Sequence, residues 1–141
     1  MNLDLTKLKK RLAEFDAAHK KWLEETLAKS QTEAIPCFKI VNYKCPDGYE
    51  ILFHGVNGSR KIPFDTWLVA ERKWAGEGRT KYWTGFHVFL EKCIVEDYLL
   101  RFTDKTKTRT IIHCYAKGLR PKESSRGNVF LANEMMVPTF L

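Results

Sequence analysis

Leu5, Leu8, Leu12, Phe15, His19, Trp22 and Thr26 recur at alternating steps of three and four, with Lys9, Lys10, Glu14, Lys20, Lys21 and Glu24 between them. That spacing predicts an amphipathic helix. Asp4 or Thr6 can cap its start, Ser30 marks its frayed end, and no Pro or Gly interrupts 5–29. The helix then reaches about 37 Å at 1.5 Å per residue. A helix longer than the core it serves either packs lengthwise across a sheet or pairs with a second copy. Intrachain packing is the first expectation, and the near-heptad seam leaves homodimerisation through this helix open, although His19 and Thr26 interrupt it.

After SQTEAIP the period changes to two. CFKIVNYKC, Cys37 to Cys45, alternates and ends at Pro46-Asp47-Gly48, and YEILF, Tyr49 to Phe53, reads as its hairpin partner. His54 to Ser59 is a loop, Ile62 to Trp74 admits either a short helix after Pro63 or a strand, and Gly76 to Arg79 is a second loop. Gly85 to Phe89 reads as a strand with Phe86, Val88 and Leu90 on one face and Gly85, His87 and Phe89 on the other, which places His87 beside solvent or a cleft. A helix follows from Glu91 to Phe102, with Ile94, Tyr98, Leu99 and Phe102 at helical spacing. Thr110 to Ala116 is a strand closed by a turn at Lys117-Gly118, Pro121 to Asn128 is a polar loop, and Val129 to Val137 is a last strand ended by Pro138. The pattern predicts an α+β fold: a long N-terminal amphipathic helix (1–30) and an α+β domain (36–141) with a small antiparallel or mixed sheet and one further helix, forming one compact unit.

Composition narrows the class. A chain of 141 residues, 44% apolar and 29% charged, is a soluble single domain. The opening MNLDLTKLKK has no continuous apolar stretch, so neither export nor membrane insertion is expected and the chain reads as cytoplasmic. The cysteines at 37, 45, 93 and 114 match no CxxC spacing and read as buried reduced thiols; Ile94 and Phe89 argue the same burial for Cys93. The formal charge is +7, and 101–126 alone holds eight Lys or Arg against Asp104 and Glu123, a local excess of six positive charges. Such a surface attracts anions.

Candidate chemistry is sparse. No HExxH, no deaminase-type His and Cys set and no paired carboxylate motif accompanies the histidines, and His113 and Cys114 point to opposite faces of a strand. There is no GxSxG elbow, no Walker loop and no GxGxxG, so neither a metal nor a cofactor is predicted. Binding is the reading the charges favour. Arg109, Lys117, Arg120, Lys122 and Arg126, with Ser124 or Ser125 hydroxyls, form a candidate grip for phosphates, and His87 is a candidate ligand contact. Tyr82, Trp83 and Phe86 lie near Arg79 and Lys81, as base-stacking aromatics would, but the first reading of Trp67, Trp74, Trp83, Phe86 and Phe89 is as core residues, because a small domain needs large aromatics to bury enough apolar area.

Two resemblances add expectations. Tyr49-Glu50-Ile51-Leu52-Phe53-His54-Gly55, the aromatic strand Gly85 to Phe89 and Asn133-Glu134 on a terminal strand resemble, in that order, the His-Gly, tyrosine and glutamate segments of ADP-ribosyltransferase-like folds. Val56 in place of the usual hydroxyl residue, Phe86 or Phe89 in place of the tyrosine, and Met135-Met136 after the glutamate depart from that pattern. The resemblance implies, as an alternative function, a transferase using His54 and Glu134. Separately, Trp67-Leu68-x-Ala70-Glu71, Gly85-Phe86-His87-Val88-Phe89, Tyr98-Leu99-x-Arg101-Phe102, Gly118-Leu119-Arg120-Pro121-Lys122 and Ser125-Arg126-x-x-Val129-x-Leu131-Ala132 resemble small proteins of bacteriophages and mobile elements. That resemblance implies an inhibitor of a host defence or of host nucleic-acid machinery. The combined expectation is a small basic binding module whose partner is a nucleic acid, a nucleotide, or a host protein or nucleoprotein.

Overall fold

The amphipathic run forms one uninterrupted helix, α1 (Leu5–Lys29). The structure, a computed structural model, describes residues 5–44, 50–53, 61–71, 74–75, 82–102, 109–122, 125 and 128–139. After α1 the alternating segments become strands β1 (Ile35–Lys44), β2 (Glu50–Phe53), β3 (Leu68–Val69), β4 (Trp74–Ala75), β5 (Tyr82–Trp83) and β6 (Phe86–Val88). Helix α2 (Lys92–Leu100) and strands β7 (Arg109–Pro121) and β8 (Phe130–Met136) complete the chain. The ambiguous segment 62–74 supplies β3, so its strand reading holds. Among the described residues no helix is long and apolar enough to cross a membrane.

One antiparallel sheet carries the order β2-β1-β7-β8-β3, with β6 also on β8, while β4 and β5 form a separate pair. The sheet curls into a half-barrel. Its two sides approach at Phe38 and Phe89, which exchange backbone hydrogen bonds of 2.8 Å each way. The concave side encloses Ile35, Cys37, Val41, Ile112, Cys114, Ala116, Leu119 and Met135. On the convex side α2 lays Ile94, Val95, Tyr98 and Leu99 over Phe38, Ile40, Phe89, Ile111 and Val129. The thiol of Cys93 lies on the exposed side of α2, contrary to the burial expected of it, because Val95 and not Cys93 falls on the inward stripe.

Gly118 is where the strand turns. The inward set of β7 runs Ile112, Cys114, Ala116 and then Leu119, and that of β8 runs Val137, Met135 and then Ala132. Both strands thus break the period of two at the same place, where Gly118 adopts φ +66° and Leu119 still pairs with Ala132. The expected turn at Lys117-Gly118 is therefore a kink inside a strand that continues to Pro121. A left-handed residue can end a strand or bend it, and here both flanks keep their ladder partners.

Ser30 is the joint between α1 and the sheet, not a frayed end. It is fully buried. Its carbonyl accepts from the Gly118 N–H at 2.8 Å, its Oγ accepts from the Leu119 N–H at 3.0 Å, and that hydroxyl donates to the Leu27 carbonyl at 2.6 Å. The helix end thereby satisfies the β7 edge just beyond the reach of β1. From this anchor α1 docks through Leu23 and Leu27 and through His19 Nε2 to Glu91 Oε1 at 2.7 Å. No residue of α1 is buried, so the lengthwise packing expected of it does not occur: a curled sheet meets a straight helix over its last turns only.

Gly118→Ala is expected to cost about 2 kcal/mol or more, since the left-handed conformation costs roughly 1–2 kcal/mol for an L-residue. The added Cβ would in addition lie 2.5 Å from Asn133 Nδ2. Ser30→Ala leaves the Leu119 N–H buried without its acceptor, a loss of roughly 1–3 kcal/mol. Urea midpoints measured for both variants, with unchanged m, check these values. Adding Asn133→Ala to Gly118→Ala should recover only the part of the clash made by the amide, because the Cβ of residue 133, 2.9 Å away, remains.

Candidate basic site on the convex face

Three of the basic positions share one face of the sheet although they are far apart in sequence, and two of them touch. His87 and Arg120 both stand opposite Leu131, one from β6 and one from β7, so their side chains leave the same face of the sheet. Lys122, two residues beyond Arg120, shares that face, and its Nζ lies 3.1 Å from His87 Nε2. All three are half-buried, beside the area that α2 covers.

Neutral oxygens position the guanidinium. Arg120 Nη1 donates to Asn133 Oδ1 at 2.6 Å and Nη2 donates to the Thr84 carbonyl at 2.7 Å. Gly85 makes room for this: a Cβ there would sit 2.9 Å from the Ala132 carbonyl oxygen and 3.2 Å from Arg120 Nη2. At the other end, an ammonium can only donate, so His87 Nε2 accepts and the imidazole proton is on Nδ1. Partial burial pushes the Lys122 pKa down from its ordinary value. An anion placed across the row would meet a fixed fork and an adjacent ammonium, the arrangement that charge-assisted hydrogen bonds favour.

The other expected ligands are elsewhere or serve the frame. Ser125 Oγ donates to the Lys122 carbonyl at 2.7 Å and accepts from the Val129 N–H at 3.1 Å, holding the chain between β7 and β8. Lys117 stacks over the Trp67 ring at 4.3 Å and faces Glu134 across the ladder. Arg109 belongs to the far end of β7, opposite Asn42, with its guanidinium 4.2 Å above the Phe102 ring. Among the described residues, the basic side chains of the last third therefore do not form one patch. Arg126 and Ser124 lie outside the described residues. So does His54, while Glu134 is half-exposed on β8.

Of the aromatics read as either core or stacking groups, Phe89 is buried and Trp67 is exposed beneath Lys117. Phe86 stacks on Phe53 at a centroid distance of 5.9 Å. Cys37 and Cys114 are buried cross-strand neighbours with sulfurs 3.1 Å apart. Among the described residues no group of three or more His, Cys, Asp or Glu is placed to hold a metal ion.

No protein-family model, curated protein or solved structure matches the chain.

Lys39 is the buried cation that pattern reading passed over. It falls on the inward set of β1, between Cys37 and Val41, and is 3% exposed. Its Nζ donates to the His87 carbonyl at 2.8 Å and lies 5.3 Å from the centre of the Phe53 ring. The ammonium thus spans the gap between β1 and β6 where the strands diverge after the Phe38–Phe89 bridge, and fixes from inside the strand that presents His87 outside. An apolar alternation broken by one lysine, CFKIV, was the available signal.

Burial lowers the Lys39 pKa to about 8. The Cys37 thiol is raised well above its ordinary value, first by its hydrogen bond to Cys114 and then by burial. For the lysine, the folded state releases its proton near pH 8 while the unfolded chain holds it to about 10.4, so the unfolded state binds more protons and stability rises with pH by at most roughly 1.4 kcal/mol per unit. For the thiol the sign is opposite: above the unfolded cysteine value the folded state retains the proton, and stability falls. Between pH 7.5 and 8.5 the lysine dominates, so the urea midpoint should climb over that interval. Lys39→Met should flatten the climb, and Cys37→Ala should extend it to higher pH.

Proposed function

We propose that the chain is a small basic binding module, of the kind bacteriophages direct against host defence or host nucleic-acid machinery, and that its ligand is an anion presented by a nucleic acid, a nucleotide or a nucleoprotein. The observation that carries this reading is the row of His87, Arg120 and Lys122 on one face of the sheet, with Lys122 in contact with His87 and Arg120 held by Asn133 and the Thr84 carbonyl. Side chains that only keep a protein soluble are not positioned in this way. The formal charge of +7 supplies the long-range attraction, and the row supplies the short-range donors. Half-burial strengthens the interaction with an anion, since a charge already shielded from water loses less hydration on contact.

A fluorescent single-stranded oligonucleotide titrated at several salt concentrations tests the proposal. Arg120→Gln with Lys122→Gln should weaken binding about tenfold or more and lower the slope of log affinity against log salt by about 0.7 for each phosphate no longer neutralised. Arg109→Gln, at the far end of β7, should leave the slope unchanged. Equal binding by the wild type and the double variant, or equal weakening on changing Arg109, overturns the assignment of this row as the ligand site.

A further inference from the structure

The seam of α1 is apolar and uncovered. Leu5, Leu8, Leu12, Phe15 and Trp22 are 62, 45, 55, 69 and 42% exposed, although they fall on a single a/d stripe. The domain docks beside the C-terminal end of that stripe through Leu23 and Leu27, and touches the stripe itself at His19, through Glu91. Residues 5–18 extend past it for about 21 Å at 1.5 Å per residue. Clustered apolar side chains of this size on one face mark an association surface.

We propose that the occupant is a second copy of the chain, its α1 packed antiparallel with Leu12 against the partner's Phe15. Two arguments fix the direction. The domain sits on Leu23 and Leu27, close to the seam, so a parallel partner would bring two domains to the same end; an antiparallel partner puts them at opposite ends. Charge agrees: residues 5–11 carry Lys7, Lys9, Lys10 and Arg11 and no acid, whereas 14–25 carry Glu14, Asp16, Glu24 and Glu25 with Lys20 and Lys21. Parallel pairing aligns the cationic half with itself, and antiparallel pairing aligns it with the acidic half.

The register follows from the stripe. Leu5 layers on the partner's Trp22, Leu8 on the partner's His19 and Leu12 on the partner's Phe15, with the reciprocal layers completing the seam. Flanking these, Lys9 faces the partner's Asp16 twice, once on each side of the twofold axis, the position where charges set orientation in coiled coils. The dimer is closed, since the same stripe serves both copies. It does not depend on the reading of the basic row.

Sedimentation velocity of the full chain across a micromolar concentration series should show the weight-average mass rising toward twice that of one chain. Leu12→Asp with Phe15→Asp, both exposed in the monomer, should hold the mass at one chain while the thermal midpoint stays within a few degrees of wild type. Lys9→Asp alone and Asp16→Lys alone should each weaken association about tenfold, by placing like charges opposite one another twice, and the double variant Lys9→Asp/Asp16→Lys should restore it. A monomer at every concentration overturns the dimer. A dimer that the double swap fails to restore overturns the antiparallel register, because in parallel pairing positions 9 and 16 do not face each other and exchanging their charges compensates nothing.

Discussion

The conformation of Gly118 decides where the charges of β7 go. In an unbroken strand Arg120 and Lys122 would share the face of Ile112, Cys114 and Ala116, and two cations would be driven into the apolar interior at a cost of several kcal/mol each. The left-handed φ at Gly118 inverts the alternation, so Leu119 takes the inward place and Arg120 and Lys122 turn outward. The matching break in β8 keeps Leu119 opposite Ala132 and frees Asn133 to receive the guanidinium. The same kink turns the Gly118 N–H and the Leu119 N–H toward Ser30, which joins α1 to the sheet. One backbone position therefore sets the curl of the sheet, the face of the basic row and the anchorage of the helix.

The opposite side of the half-barrel uses a different solution. After Phe38 and Phe89 exchange their hydrogen bonds the strands part, and a backbone carbonyl left in an apolar gap is expensive. Lys39 reaches the His87 carbonyl from within and stands in for the missing ladder bond. A buried ammonium is an unusual means to that end, since burial opposes its charge. It ties the interior to the surface row: the strand held by Lys39 from inside is the one whose imidazole contacts Lys122 outside.

The sequence made the elements legible and their arrangement much less so. The two helices, the β1–β2 hairpin and the α+β class follow from periods of 3.6 and 2 that local residues impose. Gly118 misled because its left-handed preference is common to turns and kinks, and only the long-range pairing of Leu119 with Ala132 and the bond to Ser30 distinguish them. Ser30 likewise looked like a frayed end because its partners lie 88 and 89 residues away. For the basic residues, composition gave the excess but not its partition. Arg120, Lys122 and His87 are brought together by the β6–β8–β7 ladder, while Arg109 and Lys117 stack on Phe102 and Trp67.

The uncovered half of α1 has a consequence for the basic row through geometry alone. A helix tied down at Ser30 and docked through Leu23 and Leu27 is nucleated from its C-terminal end, so its free turns propagate without the initial cost of the first turn. What holds residues 5–22 helical is thus present before any partner arrives, and a partner gains a preformed apolar stripe instead of having to order one. In an antiparallel pair the two domains would lie at opposite ends of the paired stretch, each keeping its own His87–Arg120–Lys122 row. On the proposed reading, two such rows in one dimer would favour an extended polyanion over a small one, because the second contact is made at high effective concentration only when the ligand spans both. In that proposed dimer the overhanging helix would bear on selectivity as well as on association, since it would set the distance between the rows.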